Sequence, residues 1–158
     1  MDYLQKNPIT KGSRVLELGC GWGLASIYCA KTFGADVTAI DADDAVFPYL
    51  KLHAEVNGTT IKTRRQRFEK ISKLQLSAYD LVIGADICFW DELSDVLYHL
   101  VNRAVNAGVK KIVLTDPERS PFFDLANRCI DRHCAELDDW SVSQPRRATG
   151  CVLSIENQ

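Results

Sequence analysis

The chain has 158 residues, 46% of them hydrophobic and 25% charged, an ordinary composition for one globular domain with enough chain to bury a core. A formal net charge of −2 leaves no basic footprint for nucleic acid, which is therefore not an expected partner. No apolar run approaches the length of a membrane span and no leader-like stretch opens the chain, so the expectation is a cytoplasmic protein that does not engage a membrane.

Residues 1–13, with Pro8 and Gly12, read as a lead-in of helix remnant and turn before a domain over 14–158. An apolar run then meets three alternate glycines in Val15-Leu16-Glu17-Leu18-Gly19-Cys20-Gly21-Trp22-Gly23-Leu24. An amphipathic pattern follows at Leu24, Ile27, Tyr28 and Phe33, so the stretch predicts a buried strand, a tight loop and a helix. Asp36–Ile40 predicts a second strand ending at Asp41. The helix after it is capped by Asp43 or Asp44, has Pro48 in its first turn, and presents Ala45, Tyr49, Leu52 and Val56 as its apolar face until Asn57-Gly58 stops it. Thr60–Arg67 is more polar, as an edge strand is, and Ile71, Leu74 and Leu76 mark a short helix or loop.

Asp80–Ala85 is a near-continuous apolar run, the pattern of a central strand. Asp91 can cap the next helix, whose period through Leu93, Val96, Leu97, Leu100, Val101, Ala104 and Val105 is the clearest in the chain; Asn106-Ala107-Gly108 ends it. Lys111–Thr115 is a fifth strand, Ser120 and Pro121 open a helix to about Ala135, and Asp139–Gln144 and Gly150–Ile155 are two strands joined by a polar loop holding Arg146 and Arg147. Alternating strand–helix units followed by two adjacent strands predict an α/β fold: a Rossmann-like, doubly wound, mostly parallel sheet with a C-terminal antiparallel hairpin. The six cysteines contain no C-x-x-C pair, so reduced thiols and no metal site are expected, with His133-Cys134 beside Cys129 as the one cluster.

The glycine loop departs from a dinucleotide fingerprint, because its third glycine comes one place early and Leu24 follows; no P-loop G-K-[S/T] is present. Glu17 two residues before the loop suits a cationic group better than a phosphate. E-L-G-C-G-W-G resembles motif I of the class I (seven-strand) S-adenosylmethionine methyltransferases. The resemblance implies that Gly19, Cys20, Gly21 and Gly23 pass under the amino-acid end of that cofactor, that Glu17 helps hold its ammonium group, and that the strand order is 3-2-1-4-5-7-6.

In open α/β sheets ligands bind at the carboxyl ends of the strands. Asp41, with Ala42 after it, is placed to accept the ribose hydroxyls of a nucleoside, or else to share helix capping with Asp43 and Asp44. Phe68, in a region that closes over adenine in these methyltransferases, is placed to stack on the base or to pack in the core. Ala85-Asp86-Ile87-Cys88-Phe89-Trp90-Asp91-Glu92 resembles the D-x-x-Y signature of seven-strand protein lysine methyltransferases, with the acidic continuation of the branch that modifies the electron-transfer flavoprotein β subunit. Asp116-Pro117-Glu118-Arg119 resembles that branch's D-P-x-R loop, and bacterial predicted nicotinamide N-methylases share these features. The resemblance therefore implies an S-adenosylmethionine-dependent N-methyltransferase acting on a protein side chain, lysine above all, or on a small nitrogen compound. A cofactor-binding module without catalysis is the alternative. Ala85 would face the cofactor, Asp86 would align the acceptor, and Phe89, Trp90, Asp116 and Arg119 would line its path. Phe89 stands where the signature has Tyr, and the family usually carries more than 13 residues before the first strand. The N/D-P-P-Y/F motif of amino-directed DNA methyltransferases is not matched.

Overall fold

A computed structural model describes residues 1–157. Its elements in chain order are α1 (Asp2–Lys6), β1 (Arg14–Leu18), α2 (Leu24–Phe33), β2 (Asp36–Asp41), α3 (Phe47–Val56), β3 (Lys62–Arg65), α4 (Lys73–Leu76), β4 (Leu81–Ala85), α5 (Asp91–Asn106), β5 (Lys111–Asp116), α6 (Ser120–His133), β6 (Glu136–Val142) and β7 (Ala148–Glu156), with single 3₁₀ turns at Asp44–Val46 and Phe68–Lys70. The seven strands form one sheet in the order β3-β2-β1-β4-β5-β7-β6. The first five strands run parallel, and β7 is antiparallel to both β5 and β6. Both the strand order and the terminal hairpin agree with expectation.

Strand alternation divides the core into two layers. Val15, Val37, Ala39, Leu81, Ile83, Val113 and Val152 face α1, α2 and α3, burying Tyr3, Leu4, Ile27, Leu50 and Ala54. Leu16, Leu18, Ile40, Val82, Ile112, Leu114, Leu153 and Ile155 face α5 and α6, burying Leu97, Leu100, Val101, Phe122, Leu125 and Cys129. The central strands are covered on both faces, which is why they read as apolar runs. At the opposite end from the glycine loop, Asp80 takes the Arg14 backbone N–H and two guanidinium N–H groups, each at 3.0 Å.

Three expectations need correction. The apolar face of α3 is not Ala45, Tyr49, Leu52 and Val56, which are exposed; Leu50 and Ala54 face the sheet. The helix has apolar residues on two stripes, and the close approach of Leu50 to Gly23 selects one of them. Asp91 does not cap α5: Trp90 holds the cap position without a side-chain bond, and Asp91 and Glu92 lie in the first turn, where they favour the positive end of the helix dipole. In α2, Ile27 is buried, but Leu24 faces outward. Asp43 does cap, accepting from the Ala45 N–H at 3.0 Å. The lead-in is part of the core: the Tyr3 ring meets Trp140 edge-on at 5.1 Å, and the Trp140 indole N–H donates to Asp2 at 2.9 Å.

Candidate active site

The carboxyl ends of β1, β2 and β4 converge on the glycine loop. A side chain at Gly19 would strike Ile87 at 2.7 Å, and one at Gly23 would strike Leu50 at 2.5 Å. Those two glycines exist so that the protein can pack against the loop. All three loop glycines have a positive φ (+58°, +50° and +76°), but a Cβ at Gly21 would meet nothing within 4 Å. Its bare backbone faces open space, where a ligand can approach it. The Gly21 N–H donates to Asp41 Oδ2 at 3.1 Å, while Asp41 Oδ1 accepts from the Asp43 N–H at 3.0 Å. Asp41 thus braces the loop end of β1 against that of β2. Ala42 follows it and accepts from Arg65 through its carbonyl at 3.2 Å.

Phe68 is half-buried, its ring end 3.6 Å from the Cβ position of Gly19. It also packs against the α5–α6 side of the core, so the two roles read for it share one position. Arg103 of α5 fixes the turn, donating to the Phe68 carbonyl at 2.9 Å and to the Ile71 carbonyl at 3.1 Å. Helical periodicity had no means of marking Arg103, since it is a polar residue beside the apolar stripe. Trp22 stacks on Tyr49 of α3 at 5.5 Å on the outer side of the loop.

Glu17 is buried beneath this groove. Its carboxylate accepts from the Ser26 N–H at 3.0 Å and from the Ser26 hydroxyl. Burial pushes the Glu17 carboxyl up to about 7, against the pull of the two Ser26 bonds. Ser26 escaped the sequence reading, although a serine in the first turn of the helix after a glycine loop is a signal that points to such a bond. Cys20 is buried at the loop with its thiol pushed up to about 12, mainly by burial; the other cysteines are also free, all but Cys134 of them buried. Among the described residues no group of three or more His, Cys, Asp or Glu side chains is placed to hold a metal ion.

Beyond Ala85 the sheet opens into a second space. A cleft of about 620 Å³ lies over the ends of β4, β5 and β7, lined among others by Tyr3, Ala85, Asp86, Asp116, Trp140 and Gln144. Asp86 adopts a left-handed φ of +59°, a conformation that costs energy in a residue other than glycine and that clusters at functional sites. Its N–H donates to the Thr115 carbonyl at 2.9 Å. Arg119 bridges Asp86 and Asp116 and lies over the Phe89 ring, 4.6 Å from its centroid. These carboxylates hold the Arg119 guanidinium above its ordinary value, the bond to Asp86 being the largest cause. Phe89 and Trp90 are exposed and tilted against each other at 5.5 Å. The structure therefore brings Asp86, Phe89, Asp116 and Arg119 together, with Asp86 and Asp116 lining the cleft and Phe89, Trp90 and Arg119 outside its lining. Tyr3 and Trp140, absent from the sequence reading of the site, join the cleft from opposite ends of the chain.

A glycine loop after β1, an acidic residue ending β2 and this strand order are the features of the class I S-adenosylmethionine-dependent methyltransferase fold, and the open face at Gly21 fits a cofactor that lies against bare backbone. The chain belongs to the methyltransferase domain family, which it matches over residues 15–108. It is similar to the electron transfer flavoprotein beta subunit lysine methyltransferase of Xenopus laevis, 29% identical over 142 residues, covering 89% of this chain and 56% of that protein. It is also similar to the ubiquinone biosynthesis O-methyltransferase of Hahella chejuensis (strain KCTC 2396), 30% identical over 82 residues, 52% of this chain and 34% of the other. The chain thus spans about half the length of the first relative and a third of the second. In fold it resembles the S-adenosylmethionine-dependent methyltransferase from Agrobacterium tumefaciens, with a TM-score of 0.74 at 16% identity, covering 99% of this chain and 60% of that one.

Proposed function

We propose that this chain transfers a methyl group to nitrogen, on a protein side chain such as lysine or on a small nitrogen compound. The observation that carries the reading is that β4 pairs directly with β1, the strand that leads into the glycine loop, and that the residues at its end, Ala85 and Asp86, line the 620 Å³ cleft. The likeness to a lysine methyltransferase over 89% of the chain supports a nitrogen acceptor; the likeness to an O-methyltransferase extends over 52% of it. The net charge of −2 favours these acceptors over nucleic acid, whose binding leans on Lys and Arg.

S-adenosylmethionine supplies an electrophilic methyl on sulfonium, so the chain's own task is to bind and to orient. Gly19, Cys20, Gly21 and Gly23 with Glu17 would hold the amino-acid end, Asp41 and Ala42 the ribose, Phe68 the base, and Ala85 the floor beneath the methyl. Asp86 would align the acceptor nitrogen. A lysine amine, with an ordinary pKa of about 10.4, is charged at neutral pH, and a carboxylate stabilises that charge. Packing of the acceptor against Phe89 and Trp90, which are both exposed, would desolvate the amine and act in the opposite sense, favouring the neutral nucleophile. Asp116 and Arg119 complete the wall of the path.

A binding module without turnover is the second reading, motivated by Phe89 standing where the signature has Tyr. Radiolabelled S-adenosylmethionine incubated with the chain and a cell lysate separates the two. Label in protein or in small molecules, abolished by Asp86→Asn, is the expected result. S-adenosylhomocysteine binding with no label transferred anywhere would establish the module; absence of binding would overturn the cofactor assignment to this groove.

A further inference from the structure

We propose that Arg119, beside the cleft, is a specificity-determining residue: its guanidinium occupies a cation seat made by the cleft residues Asp86 and Asp116 and by the Phe89 ring, and a cationic acceptor gains Asp86 only by displacing it. This rests on the reading of the cleft as the acceptor site.

The seat has three sides. Asp116 is enclosed, its side chain 0% exposed, and it takes both the Arg119 Nη1 at 2.9 Å and the Arg119 backbone N–H at 2.8 Å. Asp86 takes the Nη2 end from the solvent side, with 58% of its side chain exposed. The Phe89 ring lies under the guanidinium, 4.6 Å from its central carbon. Two carboxylates and an aromatic face form the chemistry that recognises an organic cation. Here the cation is supplied by the chain itself.

The two ends of the bridge are held unequally. The Asp116 contacts are local, three residues apart, and shielded from water. The Asp86 contact joins two different loops and is open to solvent, where ion pairs contribute little. Arg119 can therefore release Asp86 at small cost while remaining tethered to Asp116. The Asp86 main chain stays in place, held by its N–H to the Thr115 carbonyl at 2.9 Å. Release leaves the Asp86 carboxylate, which lines the cleft, with the exposed Phe89 face beside it, a pair fitted to a primary ammonium or guanidinium. A neutral acceptor offers Asp86 at most an uncharged hydrogen bond in exchange, and an anionic one offers nothing. Arg119 thus acts as a resident competitor, and the apparent affinity for a cation is reduced by the fraction of molecules in which the seat is taken.

The test uses n-butylammonium and methylguanidinium as probes, added to the full chain saturated with S-adenosylhomocysteine and followed by the backbone amide signals of Asp86 and Phe89. Arg119→Gln keeps a donor for Asp116 but frees Asp86, and it is expected to bind either probe several-fold more tightly than the parent. Adding Asp86→Asn to that variant is expected to remove the gain. Arg119→Lys, which keeps a charge beside Asp116 but is too short to span both carboxylates, guards against a folding defect in the first variant and is expected to show the same gain. Equal probe affinity in the parent and in whichever of the two variants folds, or a gain that survives Asp86→Asn, overturns the proposal. Calorimetry with S-adenosylhomocysteine on the same samples keeps the outcomes apart: cofactor binding without the probe effect sinks the role of Arg119 alone, whereas a parent that binds no cofactor sinks the functional reading beneath it.

Discussion

Glu17→Gln should make the protein more stable at alkaline pH, and the reason lies in a buried acid with one partner residue. Glu17 is 4% exposed, and Ser26 supplies both of its donors. Its carboxyl is raised from 4.5 to about 7 by burial. Below pH 4.5 the group is protonated in both folded and unfolded chains and sets no penalty. As pH rises toward 7 the unfolded chain releases its proton first, so stability falls across that window, and above it the penalty set by Glu17 is complete and stays constant. The interval from 4.5 to about 7, at about 1.4 kcal/mol for each tenfold change in acidity, amounts to ~3 kcal/mol. For a chain of this size that is on the order of 10 °C in melting temperature. Glutamine keeps an oxygen acceptor for the Ser26 N–H but does not ionise. Denaturant unfolding of parent and variant at intervals from pH 4.5 to 8.5 isolates the effect, since every other titrating group is common to both. The variant should gain steadily on the parent as pH rises. Parallel curves would refute the reasoning and mean that the carboxylate is solvated or compensated by a cation. An opposing result is expected in binding: the same variant should hold S-adenosylhomocysteine less tightly at pH 8, because it lacks the charge proposed to face the ligand's ammonium.

Three further outcomes follow from the geometry. Gly21→Val should remove S-adenosylhomocysteine binding in calorimetry, at some cost in stability because valine is strained at a φ of +50° even though its side chain projects into open space rather than into protein; normal binding by the folded variant would take the loop out of the site. Asp41→Ala should weaken that ligand at least roughly tenfold, since charge-assisted hydrogen bonds are worth about 1.5–3 kcal/mol each and the Gly21 brace is lost as well; unchanged affinity would remove Asp41 from the cofactor's contacts. Leu50→Ala should cost about 2–5 kcal/mol of folding stability through the cavity it leaves, while the exposed Leu52→Ala should stay within about 0.5 kcal/mol; similar unfolding midpoints for the two would contradict the assigned face of α3.

The glycine loop was legible because a backbone that must turn sharply and stay bare leaves its mark in residue type. The order of strands and helices was legible for a similar reason: burial on both faces makes Leu81–Ile83 and Ile112–Leu114 continuous in hydrophobicity, and a helix with one dry side makes Leu97, Leu100, Val101 and Ala104 periodic. The polar edge strand was read two residues too long at each end, since a strand with one partner needs little apolar signal to persist. The face of α3 was misread because its sequence offers two stripes, and hydrophobicity alone does not say which one meets Gly23.

The site divides along the same line. By itself the sequence determined the loop, the acid before it, the acid at the end of β2 and the two acidic loops after β4 and β5, because each is a local pattern of a few residues. Tertiary structure alone decided their partnerships. It buried Glu17 against Ser26, spent Asp41 on Gly21, seated Arg119 between Asp86 and Asp116 over Phe89, and closed the cleft with Tyr3 and Trp140 from opposite ends of the chain. Those contacts join residues from 3 to more than 130 positions apart. Their chemistry depends on distance and on exclusion of water, and neither quantity exists until the sheet has brought its strand ends together.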